Sequence, residues 1–302
     1  MISICIPIYN FDVRPLVSEL ARQIDALDFP CELVLIDDCS TLDFRKMNEP
    51  VCSQFNYILL SENVGRAKIR NLFPNYAKHD FLLFLDCDSI VINPDFIRDY
   101  TVNLIQTASN VICGGRIYPQ KCEDNNRMLR WKYGVKKESQ PAIVRQSNPN
   151  KSFMTNNFLI HRSLLSRIPF DETLVGYGHE DTLFGFYLKQ QGVEISHIEN
   201  PVLNGDLETN REFLQKTESG IENLCRIVSK LNFDKSFIAD VSLLRFYDKI
   251  RKCHFVGLFN VVFSIKRPIV KWMLIHGFTW IWLFDFYKLG LLSRSISRSK
   301  VG

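Results

Sequence analysis

Three acidic clusters in this chain have the spacing that chemistry on phosphate and sugar oxygens requires. Asp86-Cys87-Asp88 follows the apolar run Phe81 to Leu85, so two carboxylates one residue apart can turn toward one point where the chain leaves a strand. Hard oxygen donors of that kind suit Mg²⁺ or Mn²⁺ carrying phosphate oxygens as its other ligands, and the same pair also suits a loop cap. Asp37-Asp38 follows Glu32 to Ile36. An ionised carboxylate only accepts hydrogen bonds, so Asp38 fits a base N–H or a ribose hydroxyl, or equally an Asx turn within Asp-Cys-Ser-Thr. Arg66, Lys68 and Arg70 open a helical pattern after Asn63-Val64-Gly65, where guanidiniums could clamp a diphosphate or brace the acidic pair. Glu180-Asp181 follows Gly176-Tyr177-Gly178-His179 at another helix start. Acids there stabilise the helix dipole; the alternative is a general base presented to a hydroxyl.

The surrounding elements would have to place these groups on one rim. Short apolar runs alternate with helical patterns through the first two-thirds of the chain, which predicts β-α-β units and a mainly parallel sheet. The expected strands are residues 2–8, 32–36, 57–60, 81–85, 111–114, 158–160 and 193–198, with helices over 13–27, 65–73 and 94–107, the last capped by Asn93. Ligands gather at the carboxyl ends of such strands, where Tyr9-Asn10, Asp37-Asp38 and Asp86-Cys87-Asp88 stand. Asp38, Asp86 and Asp88 are therefore expected to converge around one cation and its nucleotide. Residues 116–151 are polar, contain Pro119, Pro141 and Pro149, show no clear period, and read as a long excursion near the site.

Composition bounds the alternatives. The chain has 302 residues, 46% hydrophobic and 23% charged, proportions that exclude a disordered, collagen-like or coiled-coil protein. Nine cysteines, an odd number without a Cys-x-x-Cys pair, support neither a zinc knuckle nor a disulfide framework and fit a reducing compartment. Met1 runs directly into an apolar strand pattern without a basic n-region or small-residue cleavage site, so a cytoplasmic protein is expected. The net charge of +4 hides an asymmetry: residues 245–302 carry eleven Lys/Arg against two acids, whereas residues 1–244 carry 26 against 31. The basic end is also the most aromatic, and its longest run without a formal charge, Trp272 to Phe284, is too short to span a bilayer. Helices lying on an anionic membrane surface fit this pattern, as does a stripe packed on the main domain. Nucleic acid is not expected, because the aromatics form dense apolar blocks.

Taken together the motifs resemble the family 2 glycosyltransferases of GT-A fold. The resemblance rests on Ile6-Pro7-Ile8-Tyr9-Asn10, Ile36-Asp37-Asp38-Cys39-Ser40, Glu62-Asn63-Val64-Gly65 through Arg70-Asn71, Phe84-Leu85-Asp86-Cys87-Asp88, Asn156-Asn157-Phe158-Leu159-Ile160 and Gly176-Tyr177-Gly178-His179-Glu180-Asp181, in the family's order over residues 2 to about 200. It implies a GT-A catalytic domain, expected over 1–230, while the basic aromatic pattern that follows is expected to form a helical, membrane-associated extension over 231–302. The resemblance also implies an inverting transfer from a nucleotide-diphosphate sugar, a UDP-sugar first, to a glycan or lipid-linked hydroxyl; the basic aromatic end and the absent signal-peptide pattern add the expectation of cell-envelope polysaccharide synthesis at the inner face of the plasma membrane. Pro7, Tyr9, Asn10, Asp38, Arg70, Asp86 and Cys87 would line the nucleotide, with Asp38 on the base and Asp86 near the ribose. Asp88 would ligate Mn²⁺ or Mg²⁺, with Asp86 and His197 as further candidates; Asn204 stands in the segment where the family often has a histidine. Asn157 and Glu180 would border the acceptor, and Asp181 matches the catalytic base.

Two rivals fit fewer residues. A haloacid-dehalogenase-like phosphatase also places Asp-x-Asp after a strand, but Ile90 stands where it needs Thr or Val, and the later Gly205-Asp206 pattern ends in Asn210. A catalytically silent scaffold of the same fold at a membrane assembly would have no reason to keep Asp86, Asp88 and Asp181 together.

Overall fold

The structure, a computed structural model, describes residues 1–299. It begins with β1 (Ile2–Ile8), whose side chains are buried on both faces, as a central strand between two helix layers must be. Then follow α1 (Arg14–Asp25), β2 (Cys31–Asp37), α2 (Leu42–Cys52), β3 (Asn56–Leu59), α3 (Arg66–Leu72), β4 (Phe81–Leu85), β5 (Ser89–Ile90), α4 (Phe96–Thr107), β6 (Val111–Cys113) and β7 (Arg116–Ile117). The chain continues through α5 (Met128–Tyr133), α6 (Ala142–Gln146), β8 (Asn157–His161), α7 (Arg162–Arg167), α8 (Glu180–Gln190), β9 (Ser196–His197) and β10 (Val202–Asn204). Five more helices close it: α9 (Asn210–Lys230), α10 (Lys235–Asp240), α11 (Ser242–Lys252), α12 (Val256–Ile275) and α13 (Ile281–Ser299).

Among the described residues one sheet has the order β3-β2-β1-β4-β8-β6-β9, and a second, small one has β5-β10-β7. Strands β1, β2, β3 and β4 run parallel, in register from Ile2↔Cys31 to Ile8↔Asp37 and from Ile2↔Phe81 to Cys5↔Phe84; β8 is antiparallel to β4 and β6. Alternate residues feed two cores. Cys5, Val34, Ile36, Phe84 and Phe158 pack with α3, α7 and α8, whereas Ile4, Ile6, Leu35, Leu83 and Leu159 pack with α1 and α4. Pro7 is tolerated inside β1 because the Ile8 carbonyl accepts from Asp38 on the β2 side. The Pro7 nitrogen therefore faces β4, whose pairing already ends at Cys5↔Phe84.

The strand expectations hold for β1 to β4, β6 and β8 within one or two residues, but the last shrinks from 193–198 to the two residues of β9. Helix α4 starts at Phe96 with Asp95 at its N-cap, two residues beyond the expected Asn93 cap. Helix α2, with Pro50 inside it, was not expected, and the excursion over 116–151 contains β7, α5 and α6. All nine cysteines are free.

The chain forms two compact units. The first, residues 1–119, 138–174 and 180–206, contains both sheets; the second contains 120–137, 175–179 and 207–302. The last stretch of the second unit starts at Leu207, whereas the extension was expected from residue 231. The reason is that α9, capped by the reciprocal Thr209–Glu212 box, buries Phe213 and Leu214 in one aromatic cluster with Phe263, Leu274, Phe284 and Tyr287 of α12 and α13. Gly290 lets α12 and α13 approach, since a methyl group there would overlap the buried Phe263 ring. We expect Gly290→Ala to cost about 1–3 kcal/mol in denaturant unfolding; unchanged stability would show that the two helices separate freely.

Candidate active site

The site is built where β4 leaves the sheet. Asp86, Cys87 and Asp88 form the turn into β5, closed by Ser89 N–H donating to the Asp86 carbonyl at 3.1 Å. Asp86 is ringed by arginines. Arg70 Nη2 donates to its Oδ1 at 2.7 Å, and Arg66 Nη2 and Arg116 Nη2 stand 3.6 and 3.5 Å from Oδ2. Burial would raise the Asp86 carboxyl, but Arg70, Arg66 and Arg116 outweigh it and hold it below the ordinary carboxylate range. Burial likewise disfavours charge on Arg116, yet Tyr118, Asp88, Glu138 and Asp86 together drive its value upward.

Asp38 sets this cluster from one strand away. Its Oδ1 accepts from Val64 N at 2.6 Å and its Oδ2 from Gly65 N at 3.0 Å, fixing Gly65 at φ +83° immediately before α3. Arg66 and Arg70 project from that helix, and Arg70, essentially buried, also donates to the Arg66 carbonyl at 3.0 Å. Burial is the main reason the Asp38 carboxyl is raised, partly offset by the two backbone donors. Asn10, in the left-handed region at φ 47°, accepts from Thr41 N through Oδ1 at 2.8 Å, tying the β1 exit to the β2 exit. Tyr9 is 51% exposed beside it, Pro7 is half-buried, and burial with Asp88 and Asp86 pushes the Cys87 thiol up to about 12.

Arg66 also reaches Glu180 at the start of α8, with Nε 3.2 Å from Oε1. Next to it, Asp181 Oδ1 accepts from Thr182 N at 2.6 Å and from Thr182 Oγ1 at 3.2 Å. Burial first, then the Glu180 charge, push the Asp181 carboxyl up to about 7 against those hydrogen bonds. This is the value a general base working near neutral pH needs.

On the other side of Asp88, antiparallel pairing of β10 with β5 sets Asn204 opposite Ser89. Asn204 Nδ2 donates to Asp88 Oδ2 at 3.2 Å, while Asn204 Oδ1 is buried without a hydrogen-bond partner among the described residues. Gly205 N–H donates to the Asp88 carbonyl at 2.9 Å, and a Cβ on Gly205 would lie only 2.6 Å from that oxygen. The Asn204 amide can turn to exchange its oxygen and nitrogen, giving two adjacent oxygen donors that fit Mg²⁺ or Mn²⁺.

Several expected placements are corrected. Among the described residues no three His, Cys, Asp or Glu side chains gather as a ready-made metal cluster, so the structure does not bring Asp38, Asp86 and Asp88 together as one ligand set. Asp38 serves the Val64–Gly65 backbone, and the Asp86 oxygens face Arg66, Arg70 and Arg116. His197 is no ligand: its Nδ1 accepts from Arg145 Nη1 at 2.7 Å and its Nε2 donates to the Pro149 carbonyl at 2.9 Å. Burial lowers its value to about 4, so it is neutral. Asn157 is fully buried and does not border an acceptor. It accepts from Tyr100 Oη at 2.6 Å and donates to the Gly115 and Asn200 carbonyls at 3.0 and 2.9 Å. Sequence reasoning missed Arg116 and Glu138, which carry no motif and reach the site only through the pairing of β7 with β10 and the return of the excursion.

Carboxylates thus stand at the exits of the parallel strands β2 and β4, with Asp181 at the start of α8. The Glycosyl transferase family 2 model matches residues 3–168, and the chain belongs to that family. It is 30% identical over 118 residues to the poly(ribitol-phosphate) β-N-acetylglucosaminyltransferase TarS of Staphylococcus aureus, and 24% identical over 200 residues to the hyaluronan synthase of Pasteurella multocida. Those matches cover 36% and 54% of this chain, which spans about a fifth, 20%, of each relative's length. The fold is that of the mannosyltransferase PcManGT from Pyrobaculum calidifontis, solved with GDP-Man and Mn²⁺, at TM-score 0.62 and 14% identity over 99% of this chain and 87% of that one. Glucosyl-3-phosphoglycerate synthase from Mycobacterium tuberculosis, solved with Mn²⁺ and UDP, is similar at TM-score 0.52 and 17% identity over 78% and 81%. The expected GT-A fold and glycosyltransferase class are therefore both correct.

The raised Asp181 has a measurable cost. Between the ordinary carboxylate value and about 7 the folded state binds the extra proton, so the stability it supports is lost as pH rises through that window. Asp181→Asn should raise stability by about 1–2 kcal/mol at pH 8 after screening by solvent, and change little at pH 4. Thermal unfolding at the two pH values checks this; an equal effect at both would show an ordinary carboxyl.

Proposed function

We propose that this glycosyltransferase moves a sugar from a nucleotide-diphosphate sugar to a hydroxyl of a glycan or lipid-linked acceptor, inverting the anomeric centre. The observation that carries the reading is Asp181, a carboxyl pushed up to about 7 at the start of α8 and joined through Glu180 and Arg66 to the Asp86 cluster. Thr182 holds Asp181 Oδ1, so Oδ2 takes the proton from the acceptor hydroxyl. The acceptor oxygen then attacks the anomeric carbon from the face opposite the nucleotide, and the breaking C–O bond leaves its electron pair on the diphosphate. Glu180, held by Arg66, orients the acceptor.

Pro7, the exposed Tyr9 and Asn10 line the nucleoside, with Asp38 at the base, Asp86 toward the ribose, and Cys87 and Arg70 supporting that wall. Asp88 and Asn204 would hold Mn²⁺ or Mg²⁺, which when bound neutralises charge on the leaving diphosphate. UDP is the first nucleotide to test, since one protein of this fold was solved with UDP and Mn²⁺, and GDP the second. Cell-envelope polysaccharide is the proposed product class, supported by the TarS likeness, and the cytoplasmic face of the plasma membrane the proposed place of work, supported by the basic aromatic end of the chain.

Turnover against a panel of UDP- and GDP-sugars with divalent metal tests the reading. The parent should release nucleoside diphosphate with an acid limb in kcat/KM near pH 7. Asp181→Asn should lose transfer by at least about 10²-fold while keeping nucleotide affinity within about threefold. Transfer retained by that variant would remove Asp181 as the base.

A further inference from the structure

Helix α12 turns only a narrow seam inward, with Phe263, Val270 and Leu274 buried against α13 and α9. Its opposite face is open to solvent. Leu258, Val262, Ile265, Ile269 and Trp272 recur at spacings of three and four, with Val261 beside them, forming one stripe roughly 21 Å long at 1.5 Å per residue. Ile265 is 66% exposed. The stripe runs into a chain of aromatic rings: Trp272 lies 6.3 Å from Phe278, Phe278 6.1 Å from Trp280, and Trp280 stacks on Trp282 at 5.8 Å. Trp282, 65% exposed, faces solvent with them, as do Phe255 and Phe246 at the other end. An apolar surface this continuous marks a docking face.

The charges around it select the occupant. The two acids of residues 245–302, Asp248 and Asp285, are each neutralised by their own helix, Asp248 by Arg251 and Lys252 at 2.7 Å and Asp285 by Lys288 at 2.9 Å. Glu218 of α9 is engaged by Lys271 at 2.7 Å and Arg267 at 3.7 Å. Arg245 and Lys249 of α11 and Lys266 of α12 remain exposed, within a segment of net +9. A second copy packed face to face about a two-fold axis would bring the same positive surface against this one and offer no acidic complement there. Exposed Trp and Phe rings with flanking Lys and Arg instead match the interface of an anionic lipid leaflet. Among the described residues no single helix is long and apolar enough to cross a membrane, and α11 and α12 meet at 119°. We propose that α11, α12 and the Phe278–Trp282 segment lie in the plane of an anionic membrane surface, with the Leu258–Trp272 stripe sunk among the acyl chains. This supplies the docking face that the proposed membrane location needs and rests on that part of the reading, but it concerns binding alone, so it and sugar transfer can fail separately.

The test is sedimentation of the full chain with vesicles of phosphatidylglycerol and phosphatidylcholine, or of phosphatidylcholine alone, alongside tryptophan fluorescence. The parent should bind the anionic vesicles at least tenfold more strongly than the neutral ones, with a blue shift, and lose binding as salt rises. Ile265→Asp with Ile269→Asp should weaken binding tenfold or more while far-ultraviolet circular dichroism stays unchanged; Lys249→Glu with Lys266→Glu should remove the preference for anionic lipid. Binding that ignores lipid charge, or survives the paired Asp substitutions, overturns the proposal. So does sedimentation velocity showing a dimer broken by those substitutions in a chain that binds no vesicle.

Discussion

The site depends on one carboxylate that cannot be left alone. Asp86 lies at the exit of β4 with the guanidiniums of Arg66, Arg70 and Arg116 around it, and Arg70 is essentially buried. A buried charge without a partner is costly, so Asp86 and Arg70 require each other and thereby fix the distance between β4 and α3. Arg66 extends the link to Glu180 at α8, and Arg116 extends it to Glu138 from the returning excursion. Four separate segments are thus oriented by electrostatics around a single turn. The Asp86 oxygens are committed to arginines, and Asp88, with the Asn204 amide donating to it at 3.2 Å, is the carboxylate of the pair proposed to meet a cation.

Asp38 contributes at one remove. By accepting from both Val64 and Gly65 it holds the backbone that enters α3, and so determines where Arg66 and Arg70 emerge. An Asp-to-Ala change there would leave two backbone donors unsatisfied and loosen the arginine cluster without touching it. The same economy recurs deeper in the fold. Asn157 joins Tyr100 on α4 to the Gly115 and Asn200 carbonyls, and His197 receives Arg145 and holds Pro149, so residues with chemical potential serve as braces.

The parallel core was legible because its signal is local: β1 and β4 are runs of apolar side chains, and their period and flanking polar residues show where each strand ends. The strand-exit carboxylates and Asp181 could be read for the same reason. What escaped was set by tertiary pairing. Helix α2 carries Pro50 and little apolar periodicity, and the three short strands of the second sheet are recognisable only once β10 lies between β5 and β7. Arg116 and Glu138 are brought to Asp86 by that pairing and by the excursion, with no spacing between them to betray it. His197 and Asn157 misled for the converse reason, since a sequence does not show that every polar atom of a side chain is already engaged. The end of the chain was half legible: its charge and aromatic content announced a surface, but which rings pack inward around Phe263 and which face outward follows only from the seam of α12.

The central claim is that Asp88, with the Asn204 amide turned toward it, forms an oxygen site through which a divalent cation fastens the nucleotide. Calorimetric titration of UDP into the protein with Mn²⁺ or with chelator tests it most directly. The account predicts UDP binding that is strengthened at least tenfold by Mn²⁺, with that gain abolished in Asp88→Ala and reduced in Asn204→Ala. UDP binding that is equally tight in chelator, or a Mn²⁺ effect that persists unchanged in Asp88→Ala, would contradict it.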